Sequence, residues 1–160
     1  MGWGGGVHPL VRVGDHVVLT VDLVAVDIPE GETSVSGSVF GLDAAAGAYV
    51  PAGMLRLIDA DGLLIHLPAL DDEVEPVGTR GGSLSVDGEG LRVQQVYAAP
   101  DQDTPLGLLL PGDYIDELPI LEGEPPAPVL GDDDSVEPID VSDVASAPVV
   151  SLDSITRQLD

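Results

Sequence analysis

Three histidines, 29 carboxylates and five arginines carry the acid–base and ligand chemistry of this 160-residue chain, which contains no cysteine and no lysine. Their absence excludes a thiol nucleophile, a thiolate zinc site, an iron–sulfur cluster and a disulfide. It equally excludes a Schiff-base lysine, a pyridoxal phosphate anchor and the lysine of a phosphate-binding loop. His8, His16 and His66 lack the i, i+4 spacing that sets two metal ligands on one helix face. Asp59-Ala-Asp-Gly62 begins like a calcium loop, but the EF-hand order needs glycine sixth and glutamate twelfth. Here glycine stands fourth and Leu70 twelfth, so a hairpin turn is the better reading. The acidic runs Asp71–Glu75 and Asp132–Asp134 read as solvated faces with at most weak attraction for Ca2+. Gly81-Gly-Ser-Leu-Ser85 lacks the closing glycine of a nucleophile elbow, and Gly88-Glu-Gly-Leu-Arg-Val93 loses the third glycine of a dinucleotide fingerprint. With 29 acids some pair always has a glycosidase-like separation, so spacing alone selects none. The expectation is a chain that is not an enzyme, with no catalytic, cofactor-binding or metal-ligating residue and no cofactor.

The formal charge of −24 leaves no basic face to neutralise phosphates and repels anionic lipid, so neither nucleic acid nor membrane is expected as a partner. The apolar stretch Val17–Val26 is interrupted by Asp22, and Leu106–Leu110 is far short of the roughly 20 residues of a spanning helix. Met1–Gly6 offers neither a positive n-region nor an apolar stretch, so no secretory signal is expected. The abundance of Gly, Ala, Pro, Val and Asp, with no Asn or Lys, marks a G+C-rich genome.

The elements that must position these residues read as strands. Val17, Leu19, Val21 and Leu23 alternate with Val18, Thr20, Asp22 and Val24, and Leu91, Val93 and Gln95 alternate with Arg92, Gln94 and Val96. Gly14-Asp15, Pro29–Glu32, Asp43–Gly47, Asp59–Gly62 and Asp87-Gly88 punctuate the chain as turns. Short strands at Ser34–Leu42, within Tyr49–Ile58, at Leu63–Leu67 and at Ser83–Val86 complete the pattern. The expected fold is mainly β, a small antiparallel β-sandwich or barrel over residues 11–121. A glycine-rich arm, residues 1–10, precedes it and carries the only tryptophan, Trp3. Residues 122–150 combine proline with acids and read as an extended, solvated linker. In residues 151–160, Leu152, Ile155 and Leu159 share one face of a short helical segment able to dock on a partner. Phe40, Tyr49, Tyr97 and Tyr114 are expected in the core or at its rim.

The opening Met1–Gly6, followed by Val11-Arg-Val-Gly-Asp-His-Val-Val-Leu-Thr-Val-Asp22, resembles the starts of small minor tail and baseplate proteins of tailed bacteriophages with G+C-rich hosts. The resemblance covers about the first quarter of the chain. It implies a β-rich, multi-copy structural component of the virion, assembled in the host cytoplasm, either a tail-tip or minor tail part or a capsid decoration part, whose partners are other virion proteins and copies of itself. Trp3, Leu152, Ile155 and Leu159 are then the expected partner-binding anchors. Three readings compete: a secreted or surface β-module binding Ca2+ or carbohydrate, a salt-adapted cellular domain, and a DNA mimic.

Overall fold

The computed structural model describes residues 2–26, 30–31, 34–36, 55–79, 83–85, 90–110, 113–130 and 136–153. Phe40, Tyr49, the turns at Pro29–Glu32, Asp43–Gly47 and Asp87-Gly88, and the Asp132–Asp134 run lie wholly or partly outside these residues, as do Ile155 and Leu159. In chain order the strands are β1 (Gly2–Val7), β2 (Leu10–Val13), β3 (His16–Val26), β4 (Ser34–Ser36), β5 (Arg56–Asp59) and β6 (Leu64–His66). They continue as β7 (Ser83–Ser85), β8 (Leu91–Ala98), β9 (Leu106–Leu110), β10 (Asp113–Leu118), β11 (Ile120–Glu122) and β12 (Val149–Ser151). The molecule is mainly β, as its alternating pattern and closely spaced turns require, and one of its two large sheets curls into a half-barrel.

The first sheet is built on β3, whose eleven residues reach past any single neighbour. One edge of β3 pairs antiparallel with β8 from His16↔Ala98 to Leu23↔Leu91. The other edge holds β2 and β1 in succession, with Val11↔Val18 in one and Val7↔Val21 in the other. Between these pairs the register slips by one residue, at Pro9, which has no N–H to give to a ladder. The glycine-rich arm is therefore an edge strand laid on its own domain. Beyond β2 the sheet is extended by β11, parallel to it with Ile120↔Leu10. The second sheet runs β10-β9-β5-β6-β12, with the expected Asp59–Gly62 hairpin joining β5 and β6. Its turn is held by the Gly62 N–H donating to Asp59 Oδ1 at 2.8 Å, so this aspartate is spent on the turn. β4 and β7 form a separate two-stranded ladder.

The main core lies between the large sheets. Val17, Leu19, Val21 and Leu23 from β3 and Val93 and Tyr97 from β8 meet Leu55, Leu57, Leu106, Leu108 and Leu110, all buried. Aliphatic side chains supply most of this area, at about 25 cal/mol per Å2 removed from water. Tyr97 is wholly buried, and its hydroxyl lies 2.9 Å from the Leu55 carbonyl, which ties β8 across the core to the start of β5. Tyr114, by contrast, is 45% exposed on β10, at the rim.

The expectation of a solvated linker over residues 122–150 requires correction. Ile139, Val141, Val144 and Ala147 pack against buried Val18, Ala69, Val77 and Val96 and cover the outer face of the first sheet. The N–H groups of Ala145 and Ser146 donate to the Leu70 carbonyl, and β12 then pairs with β6 through Val149↔His66. Val141, Val144 and Ala147, spaced by three along and beyond the 3-10 turn Val141–Asp143, pack inward with Ile139, while Glu137, Asp140, Ser142 and Asp143 stay exposed. Composition reports the acids; it does not report that spacing.

Candidate functional site

The outer face of the β3–β8 pair carries three successive cross-strand pairs that grade from ionic to apolar: Asp22↔Arg92, Thr20↔Gln94 and Val18↔Val96. Strand alternation sends these side chains away from the main core, and the register sets each opposite its partner. Arg92 grips Asp22 with two bonds, Nε to Oδ1 at 2.7 Å and Nη2 to Oδ2 at 2.9 Å. His8, at the break between β1 and β2, reaches the same carboxylate with Nε2 at 2.7 Å from Oδ2. A carboxylate only accepts, so Nε2 carries the proton. The 3.4 Å approach of Arg92 Nη2 to that nitrogen then sets two donors side by side and is not a hydrogen bond. The arginine bond, opposed by burial and assisted by His8, holds the Asp22 carboxyl below its ordinary value of 3.8; the same bond raises Arg92 further.

The remaining donors of this row are taken by the C-terminal segment. Gln94 Nε2 donates to Thr20 Oγ1 at 3.0 Å and to the Pro126 carbonyl at 2.9 Å, and Arg92 Nη1 to the Ala127 carbonyl at 3.1 Å. A proline-rich extended chain makes no hydrogen bonds of its own, so its carbonyls are available to such donors. Residues 124–127 and 139–147 therefore strap the outer face of the sheet. This polar row is a lock: each oxygen of Asp22 is engaged by Arg92 or His8. Sequence reasoning missed it. Its signal was a single opposite charge in each of two strands, Asp22 in one and Arg92 in the other, but the register that pairs them is not written in either strand.

An open acidic groove of about 650 Å3 lies between the Asp71–Asp72 loop and the strap, bordered by Glu137, Asp140 and Asp143. Two of these carboxylates are already engaged locally. Asp71 Oδ1 accepts from the N–H groups of Glu73 and Glu75, and Asp140 Oδ1 caps the 3-10 turn Val141–Asp143 through Ser142 N at 2.9 Å. The Ser142 bonds lower the Asp140 carboxyl. Among the described residues no three His, Asp or Glu side chains come close enough together to hold a metal ion. His66 is buried with Nδ1 2.8 Å from the Ala98 carbonyl, and His16 heads β3, so the histidines are dispersed.

The four expected anchors fall in two places. Trp3 stands on β1 opposite Ala25, on the outermost strand of one edge of the first sheet. Leu152 directly follows β12, the outermost strand of the second sheet, and its N–H donates to the Leu63 carbonyl. The structure thus puts these two on edges of different sheets and does not bring them together; Ile155 and Leu159 fall outside the described residues. No protein-family model matches this sequence, and no curated protein or solved structure is significantly similar to it.

Proposed function

We propose that this chain is a non-enzymatic structural protein of a tailed-phage virion that works by assembling with copies of itself and with other virion proteins. The observation that carries this reading is the position of its two terminal segments. β1 and β12 are outermost strands, one in each large sheet, and a sheet edge is where a β-module continues onto a neighbour. The internal satisfaction of the Asp22–Arg92–His8 row favours a structural use of the most chemistry-bearing cluster described. The virion placement rests on the resemblance of the first quarter of the chain to minor tail and baseplate proteins.

Light scattering of the purified chain, beside a version ending at Asp153, tests the assembly reading. This truncation removes Ile155 and Leu159 but keeps β12. The expected result is a discrete oligomer that becomes smaller on truncation, with the protomer still folded by circular dichroism. Mass spectrometry of purified particles tests the placement. A monomer at every concentration, together with absence of the chain from particles, overturns the proposal.

A further inference from the structure

We propose that β1 is a two-fold interface at which a second copy of this chain pairs antiparallel, joining the first sheets of both molecules into one. The inference rests on the assembly reading above and names the edge and the occupant.

The His8 N–H donates to the Thr20 carbonyl at 3.0 Å, which fixes the parity of the ladder. Gly2, Gly4 and Gly6 turn their backbone groups toward β3, and Trp3, Gly5 and Val7 turn theirs to the edge away from β3, which no described strand occupies. The opposite edge of the sheet obeys the same parity and is covered. There the outward carbonyls of Gln94 and Val96 accept from the N–H groups of Thr79 and Ala69. On the β1 side, β11 occupies the edge only alongside β2, with the Leu10 N–H donating to the Pro119 carbonyl. The chain ahead of it departs into the second sheet as β10, so nothing among the described strands pairs with β1 beyond β3.

Charge separates this edge from the others. Asp113, Asp116 and Glu117 guard β10, and Glu122 guards β11; β12 has only three residues. Acidic side chains and short length are ways of blocking an edge against pairing. β1 is six residues long and carries no charge, in a chain with a formal charge of −24. For two copies that repel each other elsewhere, it is the long edge at which close approach brings no carboxylates together on the strand itself. Centring the axis on Gly5 pairs Trp3 with the partner's Val7, Gly5 with the partner's Gly5, and Val7 with the partner's Trp3, which satisfies all three outward N–H groups on each side.

The test is sedimentation equilibrium over a concentration series, comparing the full chain with Trp3→Pro and Trp3→Thr. Both substitutions remove the indole. Only proline removes the outward N–H, and it leaves the ladder to β3 intact. The expected result is a dimer that Trp3→Thr retains and that Trp3→Pro weakens at least tenfold, with unchanged melting of the monomer. Hydrogen exchange should show the Trp3, Gly5 and Val7 amides slowed only at concentrations that favour the dimer. Equal association of the two variants, or no association of the full chain, overturns the β1 interface. Equal association with loss on truncation at Asp153 would leave the assembly reading standing, whereas a β1 dimer absent from particles would remove only the virion placement.

Discussion

Asp22 concentrates the electrostatics of the first sheet in one side chain. Its depressed carboxyl means that the folded state holds it ionised more readily than the unfolded chain does. The contribution is therefore complete above the ordinary pKa of 3.8 and fades as pH falls through the lower folded value. Asp22→Asn keeps the shape but loses the charge that Arg92 and His8 address, and it should cost about 2 kcal/mol at pH 7, the scale of charged hydrogen bonds. Urea unfolding of both proteins from pH 7 to pH 2.5 checks the sign. The difference between them should hold steady down to about pH 5 and shrink toward zero below about pH 4. A difference independent of pH would mean that packing, not charge, makes Asp22 matter. Tyr97 offers a neutral counterpart. Tyr97→Phe removes the hydroxyl beside the Leu55 carbonyl and should cost about 1–2 kcal/mol without pH dependence, because a buried acceptor loses a donor.

The strands owe their stability to what covers their edges and faces. Gly78 lets the loop approach β8: its φ is 143°, and a methyl group there would come 2.2 Å from the Gln94 carbonyl oxygen. Gly78→Ala should therefore destabilise by about 2 kcal/mol or more and free the Thr79 amide, which amide exchange would report as faster local opening. Ile139→Ser on the strap should cost about 1 to 2 kcal/mol by uncovering Val18 and Val96, and unfolding of that variant measures it. These two elements also show where the sequence was legible. The alternation of Val17–Val24 and of Leu91–Val96 declares strands with a buried face, because every other residue must point the same way. The Asp59–Gly62 turn is equally plain, since an aspartate and a glycine three residues apart can close it. The strap was not legible, because Ile139, Val141, Val144 and Ala147 are too sparse among prolines and acids to show a period. Their cover is defined only by a face that other strands create. The arm was hidden for a related reason: glycines carry no pattern, and β1 exists because β3 is long enough to pair with it. Of the expected anchors, Trp3 and Leu152 were named from residue type and spacing alone, whereas their positions on and beside edge strands follow from long-range pairing that neither segment shows by itself.

At the scale of the whole molecule, 29 acids oppose five arginines, so attraction is local and repulsion is general. Arg92 with Asp22 and Arg12 with Asp103 each gain from low salt, but a surface-scale pair is worth about 1 kcal/mol or less when exposed. Against them stand carboxylates of like charge that the fold itself brings together. Strapping residues 136–147 onto the domain sets Glu137, Asp140 and Asp143 across the groove from Asp71 and Asp72. Raising ionic strength from about 10 mM to about 1 M shortens the screening length from about 30 Å to about 3 Å, which quenches that repulsion more than it weakens two hydrogen-bonded pairs. The melting temperature should accordingly rise with NaCl, and the strap should tighten first. The amides of Ala145 and Ser146, which bond the Leu70 carbonyl, should exchange more slowly at high salt, while those of β3 change little. A melting temperature that falls with salt would show that the arginine pairs outweigh the net charge. In that case the acidic groove would be a tolerated surface and not a strain that assembly or salt relieves.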